Sequence, residues 1–196
     1  MRSFIFLCVL GSILVSFTMT SELSSISYNI DKSSKITIEG TSNVHDWVAH
    51  VNKVTGDVEF GVSDDGLIRI NECNVNIDVK SIKSEKGSIM DNKMFKALKG
   101  KEHPMITFKL KSIGSMEKTS NGFKSKVYGY LTIAGATKVI GFDVKGVELA
   151  NGGYEITGSE KLKMTTYNID PPTAMMGAMT TGDDITIRFR TVLVQK

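Results

Sequence analysis

A polar–apolar alternation with a period of two runs through most of this chain and limits what it can fold into. Lys35-Ile36-Thr37-Ile38-Glu39 alternates residue by residue. Residues 105–110 place Ile106, Phe108 and Leu110 on one face, and residues 185–193 do the same with Ile185, Ile187, Phe189 and Leu193. Successive side chains of an extended chain point to opposite faces, so such rows mark antiparallel strands buried on one side and wet on the other. Further strands are expected over residues 47–60, 67–79, 123–133, 138–149 and 154–164. Within 67–79 the apolar phase switches from Ile68 and Ile70 to Val75, Ile77 and Val79, which requires one extra residue, a bulge, near 71–74.

Turn chemistry separates the runs: Asp64-Asp65-Gly66, Asn121-Gly122, Ala134-Gly135-Ala136 and Asn151-Gly152-Gly153. These are short hairpin connections. About eight strands joined mostly by tight turns read as an up-and-down barrel or a sandwich, and no repeat or Pro/Ser linker divides them. One segment departs from the pattern. Ser88 can cap a helix with Asp91 at its third position, and Met90, Met94, Ala97 and Leu98 follow at helical spacing beside Phe95. Gly100 is expected to stop it and Pro104 bars its return. This amphipathic helix must lay its apolar face on something, either as a lid packed on one barrel end or as the border of a ligand cavity. Methionine suits the second role because it adapts to variable apolar shapes.

The first 20 residues read differently. Arg2 precedes an apolar run over residues 4–17, too short to span a bilayer comfortably and apt for an exported signal peptide cut near Thr18-Met19-Thr20. An uncleaved anchor is the alternative. Cleavage removes Cys8 and leaves Cys73 as one thiol within a strand, a buried apolar group rather than a nucleophile. The domain proper is then 21–196. A net charge of +3, with the charges scattered, does not describe a nucleic-acid binder.

Candidate chemistry is sparse. His45-Asp46-Trp47, with Ser42 nearby, is the most reactive-looking cluster, yet neighbours on a strand diverge and no nucleophile elbow surrounds Ser42. No catalytic residue is assigned. His45, His50 and His103 lack the spacing of converging metal ligands, and no metal or cofactor is expected. Lys83, Lys86, Lys93, Lys96, Lys99 and Lys101 form the solvated side of the helix or attract an anionic membrane surface transiently. Met175, Met176 and Met179 follow Pro171-Pro172; they plug a rim or wall a pocket, and sulfur ligation of copper is the alternative.

The order of these features resembles the YceI-like family of exported bacterial lipid-binding proteins. Tyr28-Asn29-Ile30-Asp31 is similar to that family's opening Y-x-I-D, and Thr55-Gly56-Asp57-Val58-Glu59-Phe60 to its G-x-I-x-F strand. Asp78-Val79-Lys80-Ser81-Ile82 resembles the segment before the lid helix, and His103-Pro104-Met105-Ile106-Thr107-Phe108 resembles Y-P-x-I-T-F. Gly129-Tyr130-Leu131-Thr132-Ile133-Ala134-Gly135-Ala136-Thr137-Lys138-Val139 resembles G-x-L-T-I-x-G-V-T-K-P-V, with Val139 in place of proline. Asp91-Asn92-Lys93-Met94 departs from D-x-H-L, and residues 40–47 and 171–177 resemble a variant branch of Bacteroidetes type.

The resemblance implies an all-β, eight-stranded antiparallel lipocalin-like barrel with one short amphipathic lid helix, exported to the periplasm or secreted. It also implies a channel holding an isoprenoid quinone, a polyprenyl chain or a fatty-acid-type lipid. The expected wall is Ile36, Ile38, Phe60, Ile77, Phe108, Leu131, Phe142, Ile156 and Phe189, with Trp47, Met90, Met94, Phe95 and Met175 at the entrance. The leading expectation is a non-enzymatic carrier, with a second copy of the chain as a further candidate partner. The rivals are an exported, stress-related protein-interaction domain with a filled core, and an enzyme using His45 and Asp46.

Overall fold

Twelve extended segments build the sheet of the computed structural model, which describes residues 24–62 and 68–196. They are β1 (Ser24–Ile30), β2 (Lys35–Ser42), β3 (Trp47–Val51), β4 (Val54–Val62), β5 (Ile68–Asp78), β6 (Ile82–Ser84), β7 (Met105–Thr119), β8 (Gly122–Ile133), β9 (Ala136–Glu148), β10 (Tyr154–Lys163), β11 (Thr173–Ala174) and β12 (Met179–Gln195). The expected leader over 1–20 and the turn Asp64-Asp65-Gly66 lie outside the described residues.

Pairing reduces these segments to eight staves. β12 pairs with β2 along its first part and with β1 at its end, so β2 continues β1. In the same way β4 continues β3, and β6 continues β5. The staves neighbour one another in chain order, and β12 returns to β1 through Tyr28↔Gln195 and Ile30↔Leu193. The result is a closed meander, a barrel and not a sandwich. Every stave has a partner on both sides, but β10 and β9 pair only from Tyr154↔Glu148 to Gly158↔Val144, so the wall opens between them beyond that point.

The expected strand over 47–60 is interrupted at Asn52-Lys53, and its two neighbours are interrupted beside it. The Asp31 carboxylate accepts the Ser33 N–H at 2.8 Å, the Asn52 N–H donates to the Ser81 carbonyl at 3.1 Å, and Asp78 accepts the Lys80 N–H at 3.0 Å. Local hydrogen bonds from side chains and turns thus replace ladder bonds along one line across three staves, where the wall bends. The phase switch in β5 has the expected cause. Glu59 pairs with Glu72 and Phe60 with Ile70, which leaves Asn71 as the bulged residue. β8 shows the alternation most plainly: Phe123, Val127, Leu131 and Ile133 are buried while Lys124, Lys126, Tyr128 and Tyr130 face outward.

The helix α1 (Ser88–Ala97) lies where the spacing predicts, but its cap is Gly87 and not Ser88. A φ of 83° at Gly87 turns the chain into the helix, and Asp91 reaches back to the Ser84 N–H at 2.7 Å, tying the helix to β6. The stop is displaced by one residue. Lys99 takes the left-handed conformation, while the Gly100 N–H donates to the Phe95 carbonyl at 2.9 Å. Gly100 is needed for another reason: a Cβ there would stand 2.3 Å from the Phe95 ring. Among the described residues no helix is long and apolar enough to cross a membrane.

The interior divides into two clusters. At the end away from α1, Tyr28, Phe60, Phe123 and Tyr154 pack ring against ring, with centroids 5.0–6.1 Å apart, around Leu193. The cluster beneath α1 is aliphatic, with Ile36, Val51, Ile82, Ile106 and Leu131 fully buried and Met94, Phe95, Ala97 and Leu98 of the helix region laid on it. Phe108, Phe142 and Phe189 stack at the waist between the two, 5.5–5.6 Å apart.

Candidate functional site

The inward rows do not meet at the centre of the barrel. They leave a cavity of about 300 Å³, at the lower end of the volumes that hold small-molecule ligands, and its wall is almost entirely apolar. It runs from the aromatic end up to α1, the loop over 43–46 and the segment over 172–181.

The structure brings most of the expected wall together. Ile36 and Ile38 come from β2, Ile77 from β5, Phe108 from β7 and Leu131 from β8. Phe142, Ile156 and Phe189 stand on β9, β10 and β12, and Phe60, 1% exposed, contributes from the aromatic plug. Trp47, Met90 and Met94 line the upper part. The Trp47 indole donates to the Thr41 carbonyl at 3.0 Å and lies flat over Gly40, where a Cβ would stand 2.2 Å from the ring.

Two expected entrance residues lie elsewhere. Phe95 is turned under α1 against Gly100 and the aliphatic cluster, so it supports the helix rather than facing the cavity. Met175 is 75% exposed, because left-handed backbone at both Met175 and Met176 turns this tight loop outward. Met179, by contrast, lines the cavity.

The reactive-looking cluster is a hairpin loop, not a strand, so the diverging-faces argument for His45 and Asp46 does not apply. What decides its character is hydrogen bonding. The Ser42 hydroxyl donates to the His45 carbonyl at 2.7 Å and accepts the Val44 and His45 N–H groups, while His45 Nδ1 lies 3.0 Å from the Asp46 carbonyl. The serine is occupied as a turn cap and no imidazole faces it. His50 pairs with Glu85 at 3.1 Å on the outside of β3 and β6. Among the described residues no group of three His, Cys, Asp or Glu side chains could hold a metal ion. Cys73 points into the cavity, and burial, with Asp57 and Glu72 adding to it, pushes its thiol up to about 12.

Two cavity residues escape the hydrophobic reading. Glu160 stands in the same inward row of β10 as Ile156 and Leu162, level with Ile187 of β12. Burial pushes its carboxyl above the usual carboxylate range, Lys126 pulls it down and Asp143 pushes it up. Tyr167 follows β10 in a short 3-10 turn over Met164–Tyr167 and is 1% exposed. The turn is fixed by Asp183, whose carboxylate accepts the Thr165 N–H at 2.8 Å and the Thr165 hydroxyl at 2.7 Å, contacts that hold that carboxyl below its ordinary range. The period-two phase of residues 154–164 already places Glu160 inside. Tyr167 leaves no such signal, because it lies beyond the strand.

Comparison with known proteins agrees with this architecture. A family model described as the YceI-like domain matches residues 28–193. No curated protein matches the chain. Among solved structures the chain is similar to BcnA of Burkholderia cenocepacia, with TM-score 0.61 and 20% identity over 83% of this chain and 98% of the other. It is also similar to a polyisoprenoid binding domain from Saccharophagus degradans, with TM-score 0.65 and 13% identity over 87% and 99%. The YceI protein of Campylobacter jejuni gives TM-score 0.58 and 23% identity over 76% and 84%. At these identities the likeness to solved structures is one of fold.

Proposed function

Because this chain belongs to the YceI-like family, we propose that it is a non-enzymatic carrier of a long-chain lipid of isoprenoid, quinone or acyl type. The observation that carries the reading is the apolar cavity running down the barrel from the helix end. An eight-stranded barrel has an interior just wide enough for side chains or one slender ligand. Each methylene taken out of water contributes about 0.8 kcal/mol, so a long tail binds without catalytic machinery once its ordering cost is met. The polyisoprenoid binding domain among the similar structures supports the same ligand class.

The apolar run over 4–17 supports export, and the surface around the cavity mouth supports loading at a bilayer. Val44, Ile89, Met175 and Met176 expose apolar side chains there, with Lys86 and Lys93 nearby. Asn43 ties the Val44 loop to the 178–180 segment, and Lys93 reaches the Thr173 carbonyl, so these tips share one end of the molecule. Apolar tips beside lysines suit an anionic lipid surface.

The test is extraction. Protein purified from its native cells without detergent is expected to release about one long-chain lipid per barrel into the organic phase, identified by mass spectrometry. A lipid-free preparation that also fails to bind a fluorescent polyprenyl probe would sink the reading.

A further inference from the structure

An apolar channel alone does not distinguish one greasy molecule from another, and this channel is not uniformly apolar. Below the mouth, where Lys93, Lys163 and His45 sit, Glu160 is the charged side chain among the described lining residues. It stands at mid-depth, one step on the mouth side of Gly158, the residue that pairs with Phe189 of the waist. A carboxyl placed there gives up hydration that an apolar residue would not need, and the Lys161 N–H returns only part of it.

Tyr167 lines the same cavity, and its buried hydroxyl has no hydrogen-bond partner among the described residues. The two groups act on each other through space, since the Glu160 charge adds to the burial that raises the Tyr167 phenol to about 12. They are nonetheless not hydrogen-bonded to one another. One acceptor and one donor therefore line the same, otherwise largely apolar cavity with unused hydrogen-bonding capacity.

We propose that Glu160 and Tyr167 form a mid-depth polar site that binds the uncharged hydroxyl of a long-chain amphiphile, an alcohol or a hydroquinone. The ligand O–H donates to the Glu160 carboxylate while its oxygen accepts from the Tyr167 phenol, which satisfies both groups at once. A bare hydrocarbon leaves both unsatisfied. A phosphate ester brings negative charge against a carboxylate in a poorly hydrated channel and is disfavoured. The inference rests on the lipid-carrier reading and adds the head-group class and its position below the mouth.

The experiment compares three probes with one carbon skeleton: geranylgeraniol, the matching hydrocarbon and geranylgeranyl phosphate. Binding is followed by displacement of a fluorescent polyprenyl probe. The full chain is expected to prefer the alcohol over the hydrocarbon by about tenfold, a typical margin for a satisfied buried polar pair. Tyr167→Phe should bring alcohol affinity down to that of the hydrocarbon and leave the hydrocarbon unchanged. Glu160→Gln should strengthen phosphate binding severalfold by removing the repulsion. If Tyr167→Phe fails to fold, Glu160→Leu should likewise abolish the preference for the alcohol.

Equal affinity for alcohol and hydrocarbon, tighter binding of the phosphate than of the alcohol, or an unaltered preference in both Tyr167→Phe and Glu160→Leu would each overturn this inference while leaving the carrier reading in place. Failure of all three probes to bind the unmodified chain would overturn both.

Discussion

The two ends of this barrel are built from the same alternating strands and come out differently. At one end Tyr28, Phe60, Phe123 and Tyr154 fill the cross-section with rings. At the other end the inward residues are mostly aliphatic, and a ten-residue helix with no fully buried side chain lies over them. A ring of four aromatics spans the interior, whereas isoleucines and leucines on opposite walls do not meet. Side-chain volume at equivalent positions therefore decides where the cavity ends: the four rings close it at one end, and at the other it runs up to the helix.

That contrast can be broken at its strongest point. Phe60→Ala removes the ring that touches Tyr28, Phe123 and Tyr154 and should cost about 3–5 kcal/mol, read from urea unfolding. Met94→Ala, at the helix-covered end, should cost less than about 1.5 kcal/mol, because Met94 is only partly buried and fewer packing contacts are lost. Equal costs would erase the distinction between plug and cavity.

Chemical access sharpens it next. The Cys73 thiol faces the interior and is raised from 9.0 to about 12, so its thiolate is about a thousandfold scarcer, and the greater nucleophilicity of a more basic thiolate returns only part of that. Alkylation by iodoacetamide at pH 8 should be on the order of a hundredfold slower than for a thiol placed at the mouth by Met90→Cys in a Cys73→Ala background. The folded chain holds this proton longer than the unfolded chain, so the stabilising effect is complete below about pH 9 and is lost as the pH climbs toward 12. A rate at Cys73 equal to that at the mouth would place the thiol in water.

The smallest effect concerns the outer surfaces. Met176→Asp at the open end should weaken sedimentation with phosphatidylglycerol vesicles several-fold, while Asn121→Asp, in the exposed turn joining β7 to β8, should leave it unchanged. Equal loss in both variants would remove the mouth as the membrane-facing end.

Much of this was legible in the chain. The phase change in β5 located a bulge to within a few residues, and it falls at Asn71. The inward rows named most of the cavity wall, because a strand's period places every second side chain on the same face. The misreadings were local. Lys99, not Gly100, takes the left-handed position, since Gly100 is reserved for contact with the Phe95 ring. Met175 faces outward because two consecutive left-handed residues reverse the turn, a backbone choice that composition does not announce.

What the amino-acid order determined by itself is the set of half-buried strands, the helix that interrupts them, and the apolar rows each strand contributes. These depend on neighbours two, three or four residues apart. What only the tertiary structure decided is the closure of β12 on β1, the choice of which end the aromatics fill, and the placing of Glu160 and Tyr167 along one cavity. Those relations join residues through the curvature of a whole sheet, and pairwise periodicity carries no information about curvature.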